Sequence, residues 1–123
     1  MTADKVWIVD DDRSIRWVLE KALMQEGLEA TAFEDAQTLL NKLGKEKPHA
    51  IVTDIRMPGI DGLTLLAKIR LEHPDLPVIV MTAHSDLDSA VSSYQGGAFE
   101  YLPKPFDVDD AINLVKRAIA HHH

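Results

Sequence analysis

The stretch VWIVDDDRS, residues 6–14, joins four apolar residues directly to three consecutive aspartates. Such an unbroken apolar run is typical of a strand that is buried on both faces of a parallel sheet. Carboxylates a few ångströms apart repel one another, so such a row is costly unless a positive group lies between its members. Asp10, Asp11 and Asp12 are therefore either solvated turn residues or a site for a cation.

Similar short apolar runs recur along the chain, at KVWIV (5–9), EATAF (29–33), AIVT (50–53), PVIVMT (77–82) and FEYL (99–102). Each run is followed by apolar residues at helical spacing, which predicts a helix. The five stripes start at Ile15, Ala36, Leu65, Leu87 and Val108. The alternation predicts an α/β fold of five βα units, in which a parallel sheet lies between two layers of helices.

Length and composition limit the classes of function. At 123 residues, with 46% hydrophobic and 27% charged residues, the chain is an ordinary globular domain. The absence of cysteine excludes disulfides, thiolate metal sites and cysteine catalysis. The net charge of −7 argues against direct binding of nucleic acid. No apolar run approaches the roughly 20 residues of a membrane span, so we expect a soluble cytoplasmic protein.

One domain is predicted over residues 1–120, because no linker-like stretch or internal repeat interrupts the pattern. His121, His122 and His123 resemble the start of a purification tag, and a native metal-binding tail is the alternative.

The fourth predicted helix differs from the others in composition. Its faces carry Ser89, Ser92 and Ser93, which compete for backbone hydrogen bonds, and two glycines follow it. We expect its intrinsic stability to be the lowest of the five. It is either a surface helix of mediocre propensity or an element that moves.

The polar residues that follow the strands converge on one edge of the predicted sheet. For five βα units the common strand order is 2-1-3-4-5, as in flavodoxin, and ligands bind beyond the carboxyl ends of the strands. Strand one leads into Asp10, strand three into Asp54, strand four into Thr82 and strand five into Lys104. Each residue alone has an ordinary explanation, such as a helix cap, a turn or a solvated lysine. Together they predict a site.

Clustered carboxylates at this edge fit Mg²⁺, which uses few protein ligands and keeps waters. A calcium loop of the EF-hand type is disfavoured, because Ile15 and Lys21 stand where that loop has Gly and Glu. A lysine opposite a cation is useful if an anion with several oxygens lies between them, which favours phosphoryl chemistry. A carboxylate can itself act as the nucleophile and form an aspartyl phosphate.

Four motifs in order, IVDDD, VTDIRMPGIDG, VIVMTAHS and YLPKPFD, resemble the receiver domain of bacterial two-component response regulators. The resemblance covers residues 4–120, and the stretches RSIRWVLEKAL and MTAHSDLDSAVSSYQGGAFEYLPKPFD resemble the NtrC type of nitrogen regulation. It implies that Asp54 is the phospho-acceptor and that Asp11 binds Mg²⁺ directly. Asp10 would hold the metal-bound waters, the backbone carbonyl of Arg56 would be a further ligand, and Asp54 would complete the metal site.

The resemblance also implies how the signal would be read. Thr82 and Lys104 match the groups that bind phosphoryl oxygens, and the Lys104–Pro105 peptide bond is usually cis in the family. Tyr101 matches the switch aromatic, and we include His84 with Thr82 in the switch. The face made by the fourth helix, the fifth strand and the fifth helix would become the output surface, and a homodimer could form through it.

A sensor histidine kinase is the implied phosphodonor, and the domain would be no enzyme beyond its own phosphorylation and dephosphorylation. The ATPase and DNA-binding output domains of NtrC-type regulators are absent from this chain, which suggests an excised domain; a free-standing receiver is the alternative. Asp10 and Asp12 also satisfy the D-x-D of a haloacid-dehalogenase-like phosphatase, which turnover of a generic phosphoester would indicate. A flavin-binding module is disfavoured, because three aspartates would repel its phosphate.

Overall fold

The computed structural model describes residues 3–83 and 97–122, which alternate strands and helices along the chain. The strands are β1 (Lys5–Val9), β2 (Glu29–Phe33), β3 (Ala50–Asp54), β4 (Val78–Thr82) and β5 (Glu100–Pro103). The helices are α1 (Arg13–Gln25), α2 (Ala36–Leu43), α3 (Gly62–Glu72) and a C-terminal helix (Val108–His122). The fourth predicted helix lies outside the described residues.

All neighbouring strands pair in parallel, and their order is β2-β1-β3-β4-β5. The predicted fold class and strand order are therefore confirmed. In this order β1 and β3 are neighbours, although the connections that leave them run to opposite sides of the sheet. The crevice between their carboxyl ends is where such sheets bind ligands.

The sheet is buried on both faces, which explains why its central strands are apolar over most of their length. In β1, Trp7 and Val9 point into one apolar cluster with residues of α2 and α3, whereas Val6 and Ile8 point into the other. That second cluster is filled by α1 and the C-terminal helix. Successive side chains of a strand alternate between faces, so an uninterrupted apolar run fills both layers.

Three aspartates that follow strands begin helices. Asp12, Asp35 and Asp61 are the N-caps of α1, α2 and α3, and each carboxylate accepts a backbone N–H at 2.8 Å. Such a cap is worth about 1 kcal/mol compared with alanine. Not every acidic residue at a strand exit therefore belongs to a binding site.

The C-terminal helix extends to His122, and the His121 ring lies 5.5 Å from the Phe99 ring between centroids. The assignment of residues 121–123 to a tag stays a prediction. Within the described ranges, no helix combines the length and apolar character that a bilayer crossing needs.

Candidate functional site

The carboxyl ends of four strands bring the predicted site residues to one edge of the sheet. Asp10 directly follows β1, Asp54 ends β3, Thr82 ends β4, and Lys104 directly follows β5. The register pairs Asp54 with Met81, so Thr82 is one residue beyond that pair. The predicted convergence of these side chains is thus a consequence of the parallel register.

Three carboxylates form a compact cluster at this edge. Asp10, Asp11 and Asp54 can each offer one oxygen so that the three atoms lie within 4.8 Å of one another. Asp10 is fully buried, Asp54 is half-buried and Asp11 is exposed. The cluster is therefore open on one side, where Asp11 meets solvent.

Lys104 is the positive group of the cluster. Its Nζ lies 3.1 Å from Asp10 Oδ2 and 3.3 Å from Asp54 Oδ1. Its backbone N–H donates to the Thr82 carbonyl at 2.6 Å, which fixes the lysine beside the end of β4. The Lys104–Pro105 peptide bond is cis, as the family resemblance implies. One ammonium thus serves two carboxylates, and the third is not among its contacts.

Keeping Asp10 ionised at this edge of the sheet costs folding free energy. Burial raises the pKa of the Asp10 carboxyl, and the neighbouring Asp54 charge raises it further. The Asp12 backbone N–H, which donates to Asp10 Oδ1 at 2.8 Å, and the Lys104 ammonium oppose this rise, yet the net shift is upward. The charged form of Asp10 is therefore less favourable in the folded protein than in water.

Lys104 shifts in the direction that keeps it charged. Partial burial lowers the pKa of the Lys104 ammonium, but the hydrogen bond and charge of Asp10, together with Asp54, raise it by more. The ammonium stays protonated at neutral pH as a result. It is positioned to neutralise an anion that binds between it and a cation.

Asp54 is held firmly by its own neighbours. Its Oδ1 accepts the Ile55 N–H at 2.9 Å, and its carbonyl accepts the Thr53 hydroxyl at 2.9 Å. The Asp54 side chain nevertheless keeps 13% of its surface exposed. The carboxylate is thus fixed in orientation and still reachable from solvent.

A shallow cavity of about 530 Å³ opens beside the cluster. It is lined by residues of the loop after β3 and by Asp11, namely Asp11, Ile55, Arg56, Met57, Pro58, Asp61 and Leu63. Arg56 therefore lies beside the carboxylates, as its predicted role requires, and its carbonyl as a metal ligand stays a prediction. The cavity offers space for a small group beside Asp11 and the loop that follows Asp54.

Asp12 does not belong to the cluster. Its carboxylate caps α1 by accepting the Ser14 N–H, in agreement with the ordinary explanation of an aspartate at a strand exit. The D-x-D alternative needs Asp12 to act with Asp10, and this cap uses Asp12 elsewhere. That observation argues against a phosphatase of the dehalogenase type.

The structure describes two of the three predicted switch residues, Thr82 and Tyr101. Tyr101 lies on the edge strand β5 opposite Val80 and is 36% exposed. Thr82 is buried, with 3% of its surface exposed. His84 lies outside the described residues. A coupling between these side chains stays a prediction.

Sequence reasoning missed Arg16, which supports Asp10 from α1. The Arg16 guanidinium donates to the Asp10 carbonyl at 2.7 Å, from six residues further along the chain. No spacing rule would reveal this contact, because the chain turns from strand to helix between the two residues. It ties the first turn of α1 to the carboxylate cluster.

The donor set fits a hard divalent cation. Three carboxylates within 4.8 Å supply oxygen ligands of the kind that Mg²⁺ prefers. One of them, Asp10, is buried, and burial disfavours its negative charge. A bound cation would offset the repulsion among them. The cluster could therefore hold a metal ion.

The family model named response regulator receiver domain matches residues 6–116. The chain belongs to this family. Its receiver motifs are thus found in a receiver fold, and the resemblance drawn from the sequence is confirmed. The haloacid-dehalogenase-like alternative is not needed to explain any contact described above.

This receiver domain is similar in sequence and structure to nitrogen-regulatory proteins. It is 62% identical over 117 residues to the DNA-binding transcriptional regulator NtrC of Escherichia coli (strain K12), which covers 95% of this chain and 25% of that protein. The solved apo receiver domain of Nitrogen Regulatory Protein C is 60% identical with a TM-score of 0.89 and covers 98% of each chain. NtrX from Brucella abortus is 34% identical with a TM-score of 0.91, over 98% of this chain and 27% of that one.

The receiver domain is thus of the NtrC type, and its relatives are named for nitrogen and transcription regulation. The chain spans about a quarter of the length of the curated relatives that it matches.

Proposed function

We propose that this receiver domain accepts a phosphoryl group on Asp54 from the phosphohistidine of a sensor histidine kinase. The observation that carries the proposal is the contact of Lys104 Nζ with Asp54 Oδ1 inside a cluster of three carboxylates. A nucleophilic carboxylate, a positive group and a set of cation ligands are the parts that such a transfer needs. The parent family supports the same reading.

The transfer exchanges one bond to phosphorus for another. An Asp54 carboxylate oxygen attacks phosphorus in line, the P–N bond to the kinase histidine breaks, and an acyl phosphate forms on Asp54. Lys104 neutralises charge on the transferred oxygens, and the Thr82 hydroxyl donates to one of them. Water later attacks the phosphorus of the acyl phosphate, the bond from phosphorus to the Asp54 oxygen breaks, and inorganic phosphate leaves, which returns Asp54 to a carboxylate.

Asp10, Asp11 and Asp54, with the Arg56 carbonyl, are the residues that would hold Mg²⁺. When bound there, Mg²⁺ supplies charge neutralisation to the phosphoryl oxygens. Asp11 is the proposed direct ligand because it is the exposed member that faces the cavity. Asp10, buried behind it, would hold metal-bound waters.

Phosphorylation would be read through Thr82 and Tyr101. Movement of the Thr82 hydroxyl toward the phosphoryl group frees space that Tyr101 can take, and His84 belongs to the same proposed switch. The surface formed by the fourth predicted helix, β5 and the C-terminal helix would then contact an output domain or a second copy. In an NtrC-type protein that output is an ATPase and DNA-binding region which controls transcription in nitrogen regulation.

The test is stoichiometric labelling by a small phosphodonor. Incubation with acetyl phosphate and Mg²⁺ should add the mass of one phosphoryl group to the intact chain, and Asp54→Asn should remove that addition completely. Asp35→Asn is a matched control, because Asp35 also follows a strand but caps α2 outside the cluster. It should be labelled like the unmodified chain.

Equal labelling of the Asp54→Asn protein would refute the assignment of the nucleophile. Repeated turnover of a generic phosphoester, instead of a single labelling, would refute the receiver chemistry and revive the phosphatase alternative.

A further inference from the structure

We infer that Gly62, the first residue of α3, is a positioning residue for the phospho-acceptor Asp54. Gly62 lies eight positions after Asp54 in the sequence, yet its Cα packs directly on the main chain of Asp54. The inference rests on the proposed function of Asp54 as the nucleophile. It assigns a role to the residue with which α3 begins, directly after the loop from β3.

The space beside Gly62 is filled by main-chain atoms. A Cβ built on Gly62 would lie 1.9 Å from the Asp54 carbonyl oxygen, 2.8 Å from its carbonyl carbon and 2.9 Å from the Ile55 Cα. If the neighbouring atoms belonged to a side chain, that side chain could rotate away. They are main-chain atoms, so the clash is relieved only if β3 or α3 moves. Gly62 is thus required for close approach and not for an unusual backbone angle.

A hydrogen bond draws the two segments together at the same point. The Gly62 N–H donates to the Ile55 carbonyl at 2.8 Å, which fastens the start of α3 to the exit of β3. On its other flank, the Asp54 carbonyl accepts the hydroxyl of the fully buried Thr53 at 2.9 Å. The Asp54 peptide is thus clamped between a hydroxyl and a Cα that carries no side chain.

This clamp sets the position of the reactive carboxylate. Displacing the Asp54 carbonyl shifts the Asp54 Cα and turns its carboxylate away from Lys104, whose Nζ is 3.3 Å from Oδ1. The same displacement moves the loop that carries Arg56, a proposed metal ligand. A misplacement of ~1 Å at a reacting group costs about 100-fold in rate, so even partial relaxation should be measurable.

The experiment compares initial rates of labelling by acetyl phosphate at saturating donor and Mg²⁺, corrected for the folded fraction measured by circular dichroism. Gly62→Ala should be labelled at least about tenfold more slowly than the unmodified protein. Gly44→Ala is the matched control, because a Cβ on Gly44 would lie at an ordinary 3.6 Å from the Asn41 carbonyl. Its rate should stay within about twofold.

A second control separates positioning from a general loosening of α3. Ile69→Val trims a buried side chain of the same helix, away from Asp54, and should lower the melting temperature without slowing labelling. If it slowed labelling as much as Gly62→Ala does, the effect would be one of helix stability and the inference would be overturned. Labelling of folded Gly62→Ala at the unmodified rate would also overturn it.

Thr53→Val decides the matter if Gly62→Ala does not fold. This substitution keeps the side-chain shape and removes the hydroxyl that holds the other flank of the Asp54 carbonyl. A rate reduction of more than about twofold supports the clamp, and a rate within about twofold overturns it. Failure of the unmodified protein to be labelled at all would instead refute the proposed function, so the two failures are distinguishable.

Discussion

The two ends of the sheet differ in how their charged side chains are arranged. At the amino end, the Lys5 Nζ lies 2.6 Å from Glu46 Oε1, and the His49 Nε2 lies 3.6 Å from Asp4 Oδ1. At the carboxyl end, Asp10, Asp11 and Asp54 crowd together, and one lysine contacts two of them. The amino end pairs its acids with bases, whereas the carboxyl end accumulates acids.

The pKa shifts record this difference. The hydrogen bond from Lys5 lowers the pKa of Glu46, and the bond to Glu46 raises the pKa of Lys5. Burial raises the pKa of Asp10 in spite of its lysine partner. The charges of Lys5 and Glu46 at the amino end therefore favour folding, whereas the negative charge of Asp10 at the carboxyl end is retained against folding. Residues that carry such a cost are candidates for function.

Of the changes considered, removing Mg²⁺ should have the largest effect on the carboxyl end of the sheet, where it should nearly abolish phosphoryl transfer to Asp54. With EDTA in place of Mg²⁺, labelling by acetyl phosphate should fall by roughly 100-fold or more, because the phosphoryl oxygens lose their main source of charge neutralisation. Intact-mass spectrometry over a time course measures this. Glu46→Gln, at the amino end, should be labelled like the unmodified protein and lose labelling equally in EDTA. Undiminished labelling without Mg²⁺ would show that the cluster needs no cation.

Adding Mg²⁺ should stabilise the fold through the carboxyl end alone. At about ten times its dissociation constant, Mg²⁺ should raise the melting temperature by about 5 °C, since it binds the folded cluster and relieves its repulsion. Differential scanning calorimetry measures the shift. Asp11→Asn should reduce the shift, and Glu46→Gln should leave it unchanged. A shift that persists in full in the Asp11→Asn protein would place the cation elsewhere.

The sequence was sufficient to predict the fold and the edge of the sheet where polar residues converge. Each of Asp10, Asp54, Thr82 and Lys104 directly follows or ends an apolar run, and parallel pairing brings such positions together. Periodicity and strand exits are local properties of a sequence, so these predictions needed no coordinates. The roles of the residues came from the receiver resemblance.

Contacts that the main chain makes after tertiary docking could not be predicted in this way. The approach of Gly62 to the Asp54 carbonyl depends on how α3 docks, and the Arg16 bond to the Asp10 carbonyl depends on the turn into α1. The division of labour among three adjacent aspartates was also ambiguous until Asp12 was seen to cap α1. These contacts depend on how the helices pack on the sheet. A local pattern in the sequence carries no information about that packing.

Neutralising Asp10 should stabilise the protein when Mg²⁺ is absent. The folded pKa of Asp10 lies above its ordinary value of 3.8, so its cost is absent below that value and develops as the pH rises through the folded pKa. Asp10→Asn in EDTA should therefore have a higher melting temperature than the unmodified protein at pH 7, by less than the Mg²⁺ effect. The gain should shrink as the pH falls toward 4. A loss of stability at pH 7 would show that the Lys104 contact outweighs burial.

Neutralising Glu46 should have the opposite sign and the smallest size. The folded pKa of Glu46 lies below its ordinary value of 4.5, so its contribution is present above that value and is lost as the pH falls through the folded pKa. Glu46→Gln should lower the melting temperature slightly at neutral pH, and high salt should remove the difference because the pair is exposed. Acid thus removes a gain at one end of the sheet and a cost at the other. If Asp10→Asn and Glu46→Gln shifted the melting temperature in the same direction at pH 7, the contrast between the two ends would be wrong.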